Sequence, residues 1–152
     1  MVLALDTSIL GFFLVASPKA GQEALAAASR GLVGGDRRLL VPTPALAESL
    51  SWVPKERREA AERALLQLPG VSVVSFDQRA AVTAAGLGSV KLKDRSHQKI
   101  KVDLQIFACA LRYGAEGLCT ADDDLVRVAQ AAEVTLRVGP PTLFVPQLPL
   151  VM

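Results

Sequence analysis

Four carboxylates stand where a carboxylate is costly. Asp6 is the only charged residue among the first eighteen, inside the apolar run from Met1 to Leu10. Glu48 is the only charge from Leu39 to Pro54, and Asp103 the only one from Val102 to Leu111. Asp122 closes another short apolar stretch, Gly117-Leu-Cys-Thr-Ala-Asp122. Burying an unpaired carboxylate costs roughly several kcal/mol unless it is neutralised, paired or bound to a metal. Neither Asp6 nor Glu48 has a Lys or Arg near it in sequence. The four acids are therefore expected to meet around a divalent cation, and an all-oxygen donor set selects Mg²⁺ or Mn²⁺ rather than zinc. Each acid also has a structural alternative. Asp6 could cap a following helix, with Thr7 or Ser8 sharing the job. Asp103 could be a first-turn acid favoured by the helix dipole, and Glu48 could reach solvent. Asp122, Asp123 and Asp124 open a helix, and Asp123 or a neighbour is expected to cap it. Asp124 is a candidate fifth ligand or a helix-start residue.

Other chemistries lack their residues. The first strand is followed by Asp6-Thr-Ser rather than a glycine-rich dinucleotide turn, and there is no Walker motif. A phospho-aspartyl phosphatase would need a second Asp at the position of Ser8. The sole histidine, His97, lies in a polar, basic segment far from any nucleophile pattern.

The elements that must position the acids alternate between short apolar runs and longer segments of helical period. This is the pattern of a parallel sheet wrapped by helices. Strands are predicted at Val2–Asp6, Leu39–Pro42, Val71–Phe76, Gly117–Thr120 and Val134–Val138. Helices are predicted at Ala20–Leu32, Pro44–Val53, Lys55–Leu68, Gln78–Leu87, Val102–Tyr113 and Asp123–Ala132. Thr43 reads as an N-cap before Pro44, and Asp77 as the cap of the helix that follows it. Ligands of such sheets collect beyond the carboxyl ends of the strands. Asp6, Glu48 and Asp122 point to that edge, and Asp103, in the first turn of its helix, can join them.

At 152 residues a single domain is expected, spanning 1–152 with a core of about 2–138 and an apolar, extended tail from 139 to 152. The composition, 51% hydrophobic and 21% charged, excludes disorder. Net charge is only +2, so the overall balance does not by itself imply nucleic acid. Its distribution says more: Lys91, Lys93, Arg95, Lys99 and Lys101 cluster with only Asp94 opposing, directly before Asp103. Cys109 and Cys119, without metal-type spacing, are expected to be buried and reduced, which fits a cytoplasmic protein. No run is long enough to span a membrane.

In this setting the chain resembles the PIN-domain ribonucleases. The resemblance is carried by Leu5-Asp6-Thr7-Ser8, by Glu48 in Pro44-Ala-Leu-Ala-Glu-Ser, by Lys101-Val-Asp103-Leu-Gln-Ile-Phe-Ala, and by Leu118-Cys-Thr120-Ala-Asp122-Asp-Asp124-Leu, over residues 2 to about 138. It implies a three-layer α/β/α sandwich with a five-stranded parallel sheet and metal-dependent cleavage of RNA that leaves 5′-phosphate and 3′-hydroxyl ends. Asp6, Glu48, Asp103 and Asp122 would hold Mg²⁺ or Mn²⁺, with Thr7, Ser8 and Thr120 orienting them. Small members of this kind are similar to the VapC-type toxins of toxin–antitoxin pairs, which implies a homodimer and a cognate antitoxin. Leu125 stands where many toxins carry an aromatic residue. A PIN nuclease of RNA maturation and a non-cleaving RNA- or protein-binding module are the rival readings. The basic run is expected to hold the RNA backbone. Trp52 is the best aromatic for base stacking, with packing near Leu68 as its structural alternative.

Overall fold

The computed structural model describes residues 1–15, 18–87 and 96–145, with the side chain of His97 left aside. Five strands, β1 (Val2–Leu5), β2 (Arg38–Pro42), β3 (Val71–Val74), β4 (Gly117–Cys119) and β5 (Arg137–Gly139), form one wholly parallel sheet in the order β3-β2-β1-β4-β5. In β1, β2 and β4 successive residues are buried, so both faces of the centre of the sheet are covered. Two connections step from β1 towards β3, and the later two step back past β1 towards β5. Right-handed crossovers in opposite directions place their helices on opposite faces. One layer comprises α1 (Thr7–Leu14), α2 (Glu23–Arg30), α3 (Thr43–Ser51) and α4 (Arg58–Leu66), and the other α5 (Gln78–Gly86), α6 (His97–Arg112) and α7 (Asp123–Ala131). The architecture is the expected three-layer α/β/α sandwich. The direction of travel reverses between β1 and β4, and beyond their carboxyl ends such sheets bind their ligands.

Several local expectations change. The segment after β1 is a helix of its own, α1, which sequence periodicity did not reveal. Helix α6 starts at His97 rather than Val102, capped by Ser96, whose Oγ accepts from the Lys99 N–H at 3.3 Å. Asp103 therefore lies in the second turn, not the first. Thr43 begins α3 but is not its side-chain cap. Its Oγ1 accepts instead from the Phe76 N–H at 3.0 Å, tying α3 to the end of β3. Asp77 caps α5 as expected, accepting from the Ala80 N–H at 2.9 Å. Its carboxyl is held below the usual carboxylate range, chiefly by that bond and also by Arg112 and Tyr113.

The apolar tail does not begin as a free arm. Pro141–Leu143 forms a short 3-10 turn and Phe144 is buried in the core. The backbone at Gly117 makes room for it: a Cβ there would meet the Phe144 ring at 2.5 Å and Leu3 at 3.1 Å. Residues 146–152 lie outside the described residues. Among those described, no helix is long and apolar enough to cross a membrane. Cys109 and Cys119 are free and buried, and burial pushes their thiols up to about 11 and about 12.

Candidate metal centre

Asp6 is the first residue past β1, and its carbonyl accepts from the Ile9 and Leu10 N–H groups to start α1. It occupies the cap position, yet its carboxylate makes no capping bond. The side chain turns instead towards β4. Thr120 donates to Asp6 Oδ2 at 2.7 Å and Ser8 donates to the same oxygen at 3.0 Å. Thr120 Oγ1 in turn accepts from the Asp122 N–H, and Ser8 Oγ from the Ala121 N–H, both at 3.0 Å. Two hydroxyls thus fasten the end of β1 to the turn after β4. Asp6 is only 5% exposed. Burial, with the negative charge of Asp122 adding to it, holds its carboxyl above the usual range, against the hydroxyl bonds that favour the anion.

Asp122 combines two of the roles open to it in the sequence. It is the N-cap of α7, accepting from the Asp124 N–H at 2.9 Å, and it faces the same cavity as Asp6. Neither Asp123 nor Asp124 is the cap. Asp124 does not line the cavity either: its Oδ1 pairs with Arg127 at 3.0 Å.

Glu48 and Asp103 reach the site from opposite layers. Helices α3 and α6 meet, and both side chains line a cavity of about 320 Å³ with Asp6, Thr7, Ser8 and Asp122. All four acids singled out in the sequence thus border one cavity. Glu48 is exposed, whereas Asp103 is buried. Trp52, Gln98, Lys99 and Val102 complete the lining; Trp52 and Lys99 are the expected stacking aromatic and a member of the expected RNA-holding run, whereas Gln98 and Val102 carry no expectation from sequence. A signal for Lys99 existed, since residues four apart share a helix face and Lys99 precedes Asp103 by one turn. The polar start of the helix, His97-Gln-Lys, obscures it, because the apolar pattern begins only at Val102.

The donor set suits a hard divalent cation. Its members are oxygen ligands, one carboxyl is raised by burial beside a second acid, and the buried Thr7 Oγ1 has no hydrogen-bond partner among the described residues. The carboxylates border the cavity without closing it: among the described residues, no group of three or more His, Cys, Asp and Glu stands ready as a ligand shell. Of the basic run, Lys99 reaches the cavity and Lys101 is exposed on α6, while Lys91, Lys93, Arg95 and the His97 side chain lie outside the described residues.

Comparison with known proteins agrees with this fold. The PIN domain family profile matches residues 3–131. No curated protein matches the sequence. Among solved structures, a *Mycobacterium tuberculosis* VapC20, described as a Sarcin-Ricin loop cleaving toxin, is similar with a TM-score of 0.61 at 16% identity, over 82% of this chain and 93% of that one. VapBC-1 of nontypeable *Haemophilus influenzae* gives a TM-score of 0.61 at 16% identity over 93% and 99%. VapBC2 of *Rickettsia felis*, bound to a DNA fragment from its promoter, gives 0.57 at 16% identity over 92% and 99%.

Proposed function

Because the chain belongs to the PIN-domain family, we propose that it is a Mg²⁺- or Mn²⁺-dependent endoribonuclease, the toxin of a toxin–antitoxin pair. The observation that carries this reading is the meeting of Asp6, Glu48, Asp103 and Asp122, from four separate segments of the fold, on one cavity at the sheet's switch point. These four side chains hold the ion or ions. A bound divalent cation supplies a water of lowered pKa and neutralises charge developing at the phosphorus. Ser8 and Thr120 fix the Asp6 carboxylate so that its orientation is set before substrate arrives. Lys99, a cation on the cavity wall, attracts the phosphate backbone into an otherwise acidic site, and the basic residues 91, 93, 95 and 101 of the same sequence run add positive charge to that attraction. The likeness of fold to the VapBC complexes supports a cognate antitoxin, and the apolar tail beyond Val145 supports a homodimer. The chain works in the cytoplasm, where its substrate and its reduced thiols belong.

The test is cleavage of single-stranded and loop-containing RNA by the purified protein. Cutting is expected with Mg²⁺ or Mn²⁺, is expected to stop in excess chelator, and should return when metal is restored. Asp6→Asn and Asp103→Asn should both be inactive. Cleavage that persists in chelator or in both variants would overturn the reading.

A further inference from the structure

Trp52 is the only tryptophan of the chain, and it is not spent on the core. It follows α3 directly, with its backbone N–H bonded to the Ser49 carbonyl at 3.2 Å, and 56% of the residue is exposed. Packing near Leu68 is therefore not its role. The indole stands at a junction. It lines the acid cavity, and it also lines an adjoining groove of about 500 Å³ formed with Gly11, Phe12, Lys19, Gln22 and Leu25. Ser8 and Asp122 belong to both spaces, so the groove opens directly from the acids. Gly11 lies directly beside the ring: a Cβ built there would stand 3.8 Å from it, in ordinary van der Waals contact. Lys19 puts a cation on a groove that is otherwise mostly apolar. An exposed aromatic face, an apolar slot of nucleotide size and a cation next to a phosphate-cleaving site match the chemistry of single-stranded RNA, whose unpaired bases stack on such faces.

Resting on the ribonuclease reading above, we propose that Trp52 is a positioning residue for substrate. Its indole stacks on the base beside the scissile phosphate, and the strand continues along the Gly11–Phe12–Leu25 groove with its next phosphate near Lys19. A base held in a duplex cannot present its face to the indole, so the same contact selects unpaired RNA. Because Trp52 is the sole tryptophan, its fluorescence reports on this contact alone. With chelator present to prevent cutting, a short single-stranded oligoadenylate should quench it, and the same strand annealed to oligouridylate should not. By anisotropy of labelled oligoadenylate, Trp52→Ala should weaken binding about 5- to 150-fold, the range measured for base–aromatic stacking, and Trp52→Phe should restore most of it. The exposed position makes both variants expected to fold. Equal quenching by single strand and duplex, or unchanged affinity in Trp52→Ala, would overturn the proposal and assign the indole to a protein partner instead. Cleavage by the wild-type chain is a separate readout. Metal-dependent cutting that survives Trp52→Ala with unchanged affinity removes this inference alone, whereas specific quenching without any cutting removes the ribonuclease reading and leaves the stacking contact.

Discussion

Thr120→Val tests the hydroxyl joint between the two central strands. Valine has nearly the same shape, so packing around this 2% exposed residue changes little. Two bonds are lost. One is the 2.7 Å bond to Asp6 Oδ2, a hydrogen bond to a charged group worth about 1.5–3 kcal/mol. The other is the acceptor for the Asp122 N–H at 3.0 Å, worth about 0.5–1.5 kcal/mol. Ser8 still donates to Asp6, so the sum is an upper range, and a loss of about 2–4 kcal/mol is expected. For a domain of this size each kcal/mol moves the melting temperature by about 2–4 °C, so Thr120→Val should melt roughly 4–16 °C lower in chelator. Thr120→Ser keeps both bonds and removes one buried methyl, at a cost of about 1 kcal/mol. RNA cleavage should follow the hydroxyl: strongly reduced in the valine variant, largely kept in the serine variant. Equal melting temperatures for wild type and Thr120→Val, or equal damage from Val and Ser, would show that the hydroxyl does not hold the site together.

Three further outcomes follow from other parts of the structure. In chelator, Asp6→Asn should melt higher than wild type at neutral pH; the Asp6 carboxyl is raised by burial, so its stabilising contribution is present at low pH and is lost as pH rises through its folded value. The gap between variant and wild type should therefore widen with pH across the acidic range in thermal melts, and a constant gap would contradict it. Gly117→Ala should destabilise the fold by about 1–3 kcal/mol in urea denaturation, because its Cβ would press on the Phe144 ring, and Phe144→Leu in the same chain should recover part of the loss. Replacing Lys91, Lys93 and Lys99 together by Ala should flatten the salt dependence of RNA affinity by roughly one unit of slope per lost phosphate contact, and an unchanged slope would leave these lysines as solvated surface.

The sheet was legible because its strands are short, apolar and separated by helical segments. The four acids stood out because charge is conspicuous in apolar sequence. Helix α1 was hidden for the same reason: Thr7–Leu14 packs against α2, α3 and α4, so it is apolar on too many sides to show a helical period. The early start of α6 was hidden by the opposite composition, since His97-Gln-Lys carries no apolar stripe, and with it went Lys99 as a neighbour of Asp103. At the start of the tail, Phe144 could not be seated from sequence, because only the fold reveals Gly117 as the place that receives its ring. For Trp52 the sequence left two readings, base stacking and packing near Leu68, because a tryptophan at the end of a helix reads equally well as surface or as core. The cap at Asp122 shows that a structural and a chemical reading of one residue need not exclude each other, as one oxygen caps α7 while the side chain lines the cavity.

The central claim is that four carboxylates form one divalent-cation site, and direct binding of Mn²⁺ tests it. Titration of the metal-free chain with Mn²⁺, followed by electron paramagnetic resonance, should show saturable binding that Mg²⁺ displaces. Loss of groups that merely orient a ligand typically lowers metal affinity 10–100-fold, so Asp6→Asn and Asp103→Asn should each weaken Mn²⁺ binding by at least about tenfold while their circular dichroism stays that of the wild type. Mn²⁺ affinity equal to wild type in both variants would contradict the account.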